Sequence, residues 1–436
     1  MATTEQTALL PQRALPSKPS FRSFLSSFWP ITFIAFGGPQ AHVALFHETF
    51  VASPAEQTPK VPQSTFLELY ALAQSLPGPG STQLATSLGA TFGGISGAII
   101  TFLIWHLPGF FVMTFAGVWF HSHLHDPSSL PLVQRVTQYA IGLISAAYAF
   151  VLIAAFKIVG TACADDNLKM AIALLSMFIA VVIPPASSSW VFILLLVAGG
   201  LAYFAYSTLR PAQSDRQEQS DTIPEWDCNL SQTTGIILLL ICAVTTVIVA
   251  ALPSSQLGYK MLKIFWRIGL CVFGGGIIVV PMLMNEIVES GLLPSSVFLA
   301  GFGLFGCVPG PMFNIAPFLG AAIVPLKGAF FGSLGLFGPG ILLQLGLLPF
   351  WERIRRIKSA QIILQGTNSA ASGLILAGVW MLLKRTMVGP TAFALTCTAA
   401  AATVVYRVPP AYNIVAHGVV GFLLVALNVG GPFSEN

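Results

Sequence analysis

The sequence predicts an all-α polytopic membrane protein of about 13 spans, built as two inverted-topology repeats with discontinuous helices. Three observations predict it. Apolar residues make up 55% of the chain and charged residues 8%, with a mean hydropathy of +0.79, which leaves too little polar surface to cover a water-soluble globule. The apolar residues gather into runs of about 17–25, the length a helix needs to cross hydrocarbon, where every backbone amide must be satisfied inside the segment. Finally, one pattern of glycine and proline, set in the middle of apolar segments, occurs twice.

The first copy reads Phe28-Trp29, Phe36-Gly37-Gly38-Pro39, Leu76-Pro77-Gly78-Pro79, Leu107-Pro108-Gly109, and Gly142 leading into Ser145-Ala146-Ala147. The second reads Phe265-Trp266, Phe273-Gly274-Gly275-Gly276, Val308-Pro309-Gly310-Pro311, Gly338-Pro339-Gly340, and Gly366 leading into Ser369-Ala370-Ala371. The order is the same and the offset drifts only from 237 residues at Phe28 to 224 at Gly142, so the chain is read as a duplicated half.

Residues 1–22 form a polar, proline-containing tail, read as cytoplasmic and without the basic, apolar and small-residue succession of a secretory signal. Within it, Glu5 with Leu9-Leu10 has the spacing of an acidic dileucine sorting signal, a match that polar tails produce often by chance. The first transport repeat, 23–207, carries apolar runs near 24–47, 66–92, 95–119, 138–156, 168–184 and 189–207. A polar linker at 208–232 contains Asp215, Arg216, Glu218, Asp221 and Glu225, and a connecting span at 233–253 follows it. The second repeat, 254–436, has runs near 262–284, 296–320, 325–348, 366–384, 389–406 and 411–430. Six spans plus the connecting span start the second repeat on the opposite side of the membrane, hence the expected inversion. With a cytoplasmic amino terminus, the cluster Arg353, Arg355, Arg356 and Lys358 falls inside, as the positive-inside rule favours, while 120–135 falls outside with Arg135 alone. Lys260, Lys263, Lys384 and Arg385 then also fall outside, which weighs the other way.

The breaks carry the expected chemistry. Proline lacks an amide hydrogen and glycine visits left-handed backbone, so Gly37–Pro39, Pro77–Gly80, Gly274–Gly276 and Pro309–Pro311 interrupt their helices and free new ends. Each resumed half-helix presents unpaired amides and about half a positive charge, so four such ends at one place would supply about +2, enough for a dianion without a buried lysine. Packing kinks and small-residue helix contacts are the competing reading of any single break.

At these residues the chain resembles the chromate ion transporter family in its long, two-domain form. The resemblance rests on Phe36-Gly37-Gly38-Pro39 with Ala41-His42, on Gln74 before Leu76-Pro77-Gly78-Pro79 with Thr82-Gln83, and on Phe273-Gly274-Gly275-Gly276 with Val280-Pro281 before Pro309-Gly310-Pro311. It implies movement of chromate, and of the isosteric sulfate, across a membrane at the expense of the proton-motive force. Gly306 stands where a glutamine is often found before the second Pro-Gly-Pro, so selectivity is expected to differ from bacterial relatives.

Polar side chains at membrane depth are costly and are each a functional candidate. His42, one turn beyond Pro39, could donate to an oxyanion, carry a proton or cap its broken helix. Thr82 and Gln83, and Asn314 at the position equivalent to Thr82, follow their Pro-Gly-Pro breaks and could add neutral donors. The substrate-binding set is therefore Gly37, Gly38, Pro39, His42, Pro77, Gly78, Pro79, Thr82, Gln83, Gly274, Gly275, Gly276, Pro309, Gly310, Pro311 and Asn314, with the more polar wall in the amino-terminal half. Glu48, Glu68 and His106 are the proton-coupling candidates, against the simpler reading of interfacial carboxylates. Glu286 and Glu289 also fall near span ends, and Arg267 could attract an anion or snorkel to the interface. His121, His123 and His125 are expected in an exposed polar loop, without a metal.

Other classes fit less well. Asp165-Asp166 is the one adjacent acidic pair and has no second acidic motif, so no enzyme is expected; no glycine loop ending in Gly-Lys-Ser/Thr exists for an ATP-driven pump. The six cysteines lack CxxC spacing, and neither disulfide, metal nor cofactor is expected. The net charge of +4 is small and argues against nucleic acid. The expected partners are chromate or sulfate and the lipid bilayer, in the plasma or vacuolar membrane, with a homodimer also compatible. The alternative within transport is a different oxyanion or a small organic anion, and beyond transport a membrane enzyme or receptor.

Overall fold

The computed structural model describes residues 20–51, 60–164, 166–183, 188–209, 229–273, 279–387 and 389–428. The dileucine match, Asp165, Cys228, most of the polar linker and the break at Gly274–Gly276 lie outside the described residues. Every regular element among the described residues is helical.

The first apolar run is two half-helices, α1 (Phe21–Ile34) and α2 (Pro39–Phe50). Ser20 caps α1 by accepting from the Ser23 amide at 3.2 Å, and Pro39 opens α2, where its missing amide hydrogen costs nothing. The second is likewise broken into α3 (Gln63–Ser75) and the start of α4 (Gly80–Leu124), a long helix kinked at Gly93 and Gly94. A short helix α5 (Leu130–Tyr139) precedes α6 (Ile141–Ala162), α7 (Asn167–Val182) and α8 (Ser188–Leu209). The connecting span is α9 (Gln232–Ala251). In the second copy, α10 (Leu257–Cys271) and α11 (Val279–Ile287) match α1 and α2. Then α12 (Ser295–Phe305), a 3-10 turn at Met312–Asn314 and α13 (Ile315–Ile323) match α3 and the start of α4, and α14 (Lys327–Leu347) matches the rest of α4. A short α15 (Trp351–Arg355) leads to α16 (Lys358–Thr386), α17 (Gly389–Val404) and α18 (Pro410–Ala426).

Six helical stretches among the described residues are long and apolar enough to cross a bilayer, in α4, α6, α8, α9, α14 with α15, and α16. The remaining apolar runs are shorter helices or paired half-helices. Outward faces are apolar as lipid requires: on α9, Ile236, Ile237, Leu240, Val244, Val247 and Ile248 are all exposed. Asp166 caps α7, accepting from the Leu168 and Lys169 amides at 2.9 and 3.1 Å and from the Tyr203 hydroxyl at 2.7 Å, a structural role for one half of the acidic pair.

The two copies complete each other. The hairpin α7–α8 of the first copy packs on α16 of the second, and α17–α18 of the second packs on α6 of the first. Small residues make both contacts close: a Cβ on Gly366 would meet Gly199 and Gly200, and one on Gly142 would meet His417 and Gly421. Aromatic rings fill the amino-terminal core, with Phe24 against Phe50 at 5.0 Å and Phe92 at 4.7 Å, and Trp105 against Phe28 at 5.8 Å.

Two local expectations are corrected. His121 and His123 belong to the last turn of α4 and His125 caps it, because the end of α4 packs against α13, where His121 Nδ1 lies 3.1 Å from the Ala322 carbonyl. The expected outer loop at 120–135 is partly helical as well: α5 begins within it at Leu130, and its Val133 is buried.

Candidate functional site

The breaks meet in reciprocal pairs. The Gly310 amide donates to the Ala35 carbonyl at 3.0 Å, and the Gly78 amide donates to the Val272 carbonyl at 2.7 Å. Gly78 and Gly310 occupy equivalent positions in the two Pro-Gly-Pro motifs, and Ala35 and Val272 are equivalent residues just before the two Phe-Gly-Gly motifs. Both glycines need left-handed backbone, φ +133° at Gly78 and +110° at Gly310, which turns the amide out of the helix line toward the other copy. The Pro-Gly motifs of α4 and α14 repeat the exchange: a Cβ on Gly109 would overlap Asn314 beside the Pro309 carbonyl, and one on Gly340 would lie 2.8 Å from the Gly78 Cα.

Between the first and fourth breaks lies a cavity of about 60 Å³. Its walls are Ala35–Pro39 and His42 on one side and Phe305, Gly306, Val308, Gly310 and Met312 on the other, closed by Ala147, Phe150, Val151 and Ala154 of α6 and Ile414 of α18. This is well above the about 10–15 Å³ that a single water needs. The first and fourth breaks thus share one cavity, so their two helix ends bring about +1 to it, half of the four-ended sum.

His42 is the ionisable residue on this wall and is almost fully buried. Its Nδ1 lies 3.3 Å from the Ser81 hydroxyl, in the first turn of α4, so the ring ties the first break to the second. Trp105 meets the ring edge-on, centroids 5.1 Å apart. Among the described residues its Nε2 has no partner in strict hydrogen-bond geometry, although the Ala35 carbonyl, which accepts from Gly310, is close enough to interact with the ring.

The other candidates are placed as follows. Gln83 Nε2 donates to the Pro77 carbonyl at 2.9 Å and across the copies to the Gly340 carbonyl at 3.0 Å, which splints the second break rather than facing the cavity. Thr82 is buried beside it, off the cavity wall, with a hydroxyl unpartnered among the described residues. Asn314 Oδ1 lies 2.7 Å from His106 Nδ1, and Phe337, the repeat equivalent of His106, packs on the His106 ring at 4.6 Å. Pro77, Pro79, Pro309 and Pro311 form the break backbones, and Gly274, Gly275 and Gly276 lie outside the described residues. Glu48 is exposed on α2. Glu68 on α3 is paired with Arg355 and accepts from the Trp351 indole at 2.9 Å, which joins the copies on the side of the basic cluster. Arg267 pairs with Glu286 at 2.5 Å and Arg385 with Glu289 at 2.8 Å.

Sequence reasoning missed Ser81, Trp105, Phe305, Met312, the α6 face and Ile414. The repeated Ser-Ala-Ala landmark signalled the α6 face, since Ala147 ends it. Nothing local signals Ile414, which arrives with the exchanged hairpin.

A family model described as chromate transporter matches residues 22–204 and again 259–422, two matches that cover the two copies. The chain is 26% identical over 383 residues to the chromate transport protein of Cupriavidus metallidurans, covering 87% of each chain. It is 25% identical over 370 residues to the chromate transport protein of Pseudomonas aeruginosa, covering 83% of this chain and 81% of that one. Against a probable chromate transport protein of Synechococcus elongatus it is 25% identical over 370 residues, covering 84% and 86%. No solved structure matches the chain.

Proposed function

We propose, because the chain belongs to the chromate transporter family, that it carries chromate across the plasma or vacuolar membrane by alternating access, with the oxyanion held in the cavity between Phe36–Pro39 and Gly306–Met312. The observation that carries this reading is His42, buried on the wall of the cavity between two broken helices, with its Nε2 unpartnered among the described residues. In the tautomer where Ser81 donates to Nδ1, the Nε2–H is a donor to an anion, and protonation of the ring would add a full charge to the about +1 of the helix ends. Sulfate, a tetrahedral dianion of the same shape, is expected to compete.

The reciprocal bonds Gly78 to Val272 and Gly310 to Ala35, and the exchanged hairpins, support two copies related by an approximate two-fold axis. Together with the span parity and the basic cluster at Arg353–Lys358, they favour inverted repeats. In such a pair, rocking that opens one pair of breaks to one side closes the other. The test is chromate flux into vesicles reconstituted with the purified chain, with and without an imposed proton gradient, against sulfate and small organic anions as competitors. Saturable chromate flux inhibited by sulfate is expected; flux of a small organic anion with chromate neither carried nor competing would replace the substrate.

A further inference from the structure

At the far end of α4, away from the cavity, two histidines stand one turn apart. His121 and His125 are spaced i, i+4 and so share a helix face, with ring centroids 4.4 Å apart and planes inclined at 41°. The His121 Nδ1 lies 3.1 Å from the Ala322 carbonyl of α13, and the His125 Nδ1 lies 2.8 Å from the His121 carbonyl. A carbonyl only accepts, so both Nδ1 atoms carry the proton and both Nε2 atoms carry the lone pair. This is the tautomer and the carbonyl anchoring that metal-ligating histidines show. His125 is exposed and lines an open depression of about 330 Å³ with Leu124, Leu257 and Pro294, and His121, half-buried, stands one turn behind it. His123 is turned away, stacked on Trp119 at 4.3 Å.

We propose that His121 and His125 form a two-histidine chelate for a divalent first-row transition ion, with water in the remaining positions. Imidazole selects Cu²⁺, Ni²⁺ and Zn²⁺ over Mg²⁺ and Ca²⁺, and Cu²⁺ binds tightest. The ion would join the end of α4 to α13 through the His121–Ala322 contact, and it is independent of the transported anion.

The test is Cu²⁺ titration of the purified, untagged full chain, read by calorimetry and electron paramagnetic resonance. One equivalent with a two-nitrogen signal is expected. His125→Ala, at an exposed position, should weaken binding by about tenfold or more, since even an outer-shell partner of a ligating histidine is worth about 10–100-fold. His123→Ala should leave it unchanged, and thermal melting of each variant checks that the fold survives. Absence of saturable Cu²⁺ binding, unchanged affinity in His125→Ala, or an equal loss in His123→Ala would each overturn the proposal.

Discussion

Replacing Gly78 or Gly310 by alanine separates the two equivalent Pro-Gly-Pro breaks by their surroundings. At Gly310, φ is +110° and a Cβ would lie 3.2 Å from the Trp105 carbonyl and 3.3 Å from Asn314 Nδ2, tight contacts that a small shift relieves. The main cost is the left-handed backbone, about 1–3 kcal/mol. At Gly78, φ is +133° and the Cβ would lie 2.8 Å from the Gly340 Cα and 2.6 Å from Gln83 Nε2. Backbone cannot yield as a side chain does, so overpacking adds about 1–3 kcal/mol and brings the total to about 2–6 kcal/mol. Gly78→Ala should therefore melt at a lower temperature than Gly310→Ala, and both should lose transport. A cost of about 1–3 kcal/mol shifts an equilibrium between two conformations by roughly 5–150-fold at 1.4 kcal/mol per tenfold. The assay pairs thermal unfolding in detergent with initial chromate uptake per folded molecule in vesicles. Wild-type uptake by Gly78→Ala, or a larger loss of stability in Gly310→Ala, would refute the reasoning.

The remaining predictions address individual contacts. His42→Phe should weaken chromate affinity by roughly 10–150-fold, the worth of a hydrogen bond to a charged group at about 1.5–3 kcal/mol, while His42→Gln, which keeps a donor, should lose less; competition binding distinguishes them. Gln83→Leu leaves the Pro77 and Gly340 carbonyls without their donor and should cost about 1–3 kcal/mol in thermal stability. Glu68 and Arg355 are mostly buried, at 25% and 21% side-chain exposure, so a double-mutant cycle of Glu68→Gln with Arg355→Met should show a coupling of about 0.5–3 kcal/mol. Additive effects in that cycle would mean that the pair does not hold the copies together.

The parts of the fold written in backbone chemistry were legible in the sequence. Pro39 and the Pro77–Pro79 and Pro309–Pro311 motifs mark where helices stop, because proline and glycine act locally, and helices do stop there. The helices α6 to α9 likewise follow from apolar runs, and α6, α8 and α9 are long enough to cross a bilayer. What one copy does to the other was not legible. Gln83 reads as a free donor one turn past a break, yet Gly340, far away in sequence, takes its amide. Asn314 meets His106 for the same reason. The histidines at 121, 123 and 125 look like a loop because polar residues at every second position break helical amphipathicity, but packing against α13 carries the helix on to Leu124. Gly306, a departure from the family pattern, lies on the cavity wall, where a side chain in its place would put its Cβ 2.9 Å from Ile414.

The central claim is that one oxyanion sits between broken helix ends contributed by both copies. A cryo-electron-microscopy structure of the chain in vesicle-derived nanodiscs with chromate tests it most directly. The expected result is tetrahedral density between Phe36–Pro39 and Gly306–Met312, within hydrogen-bond reach of His42 Nε2. Chromate density elsewhere in the molecule, with none in this cavity, would contradict it.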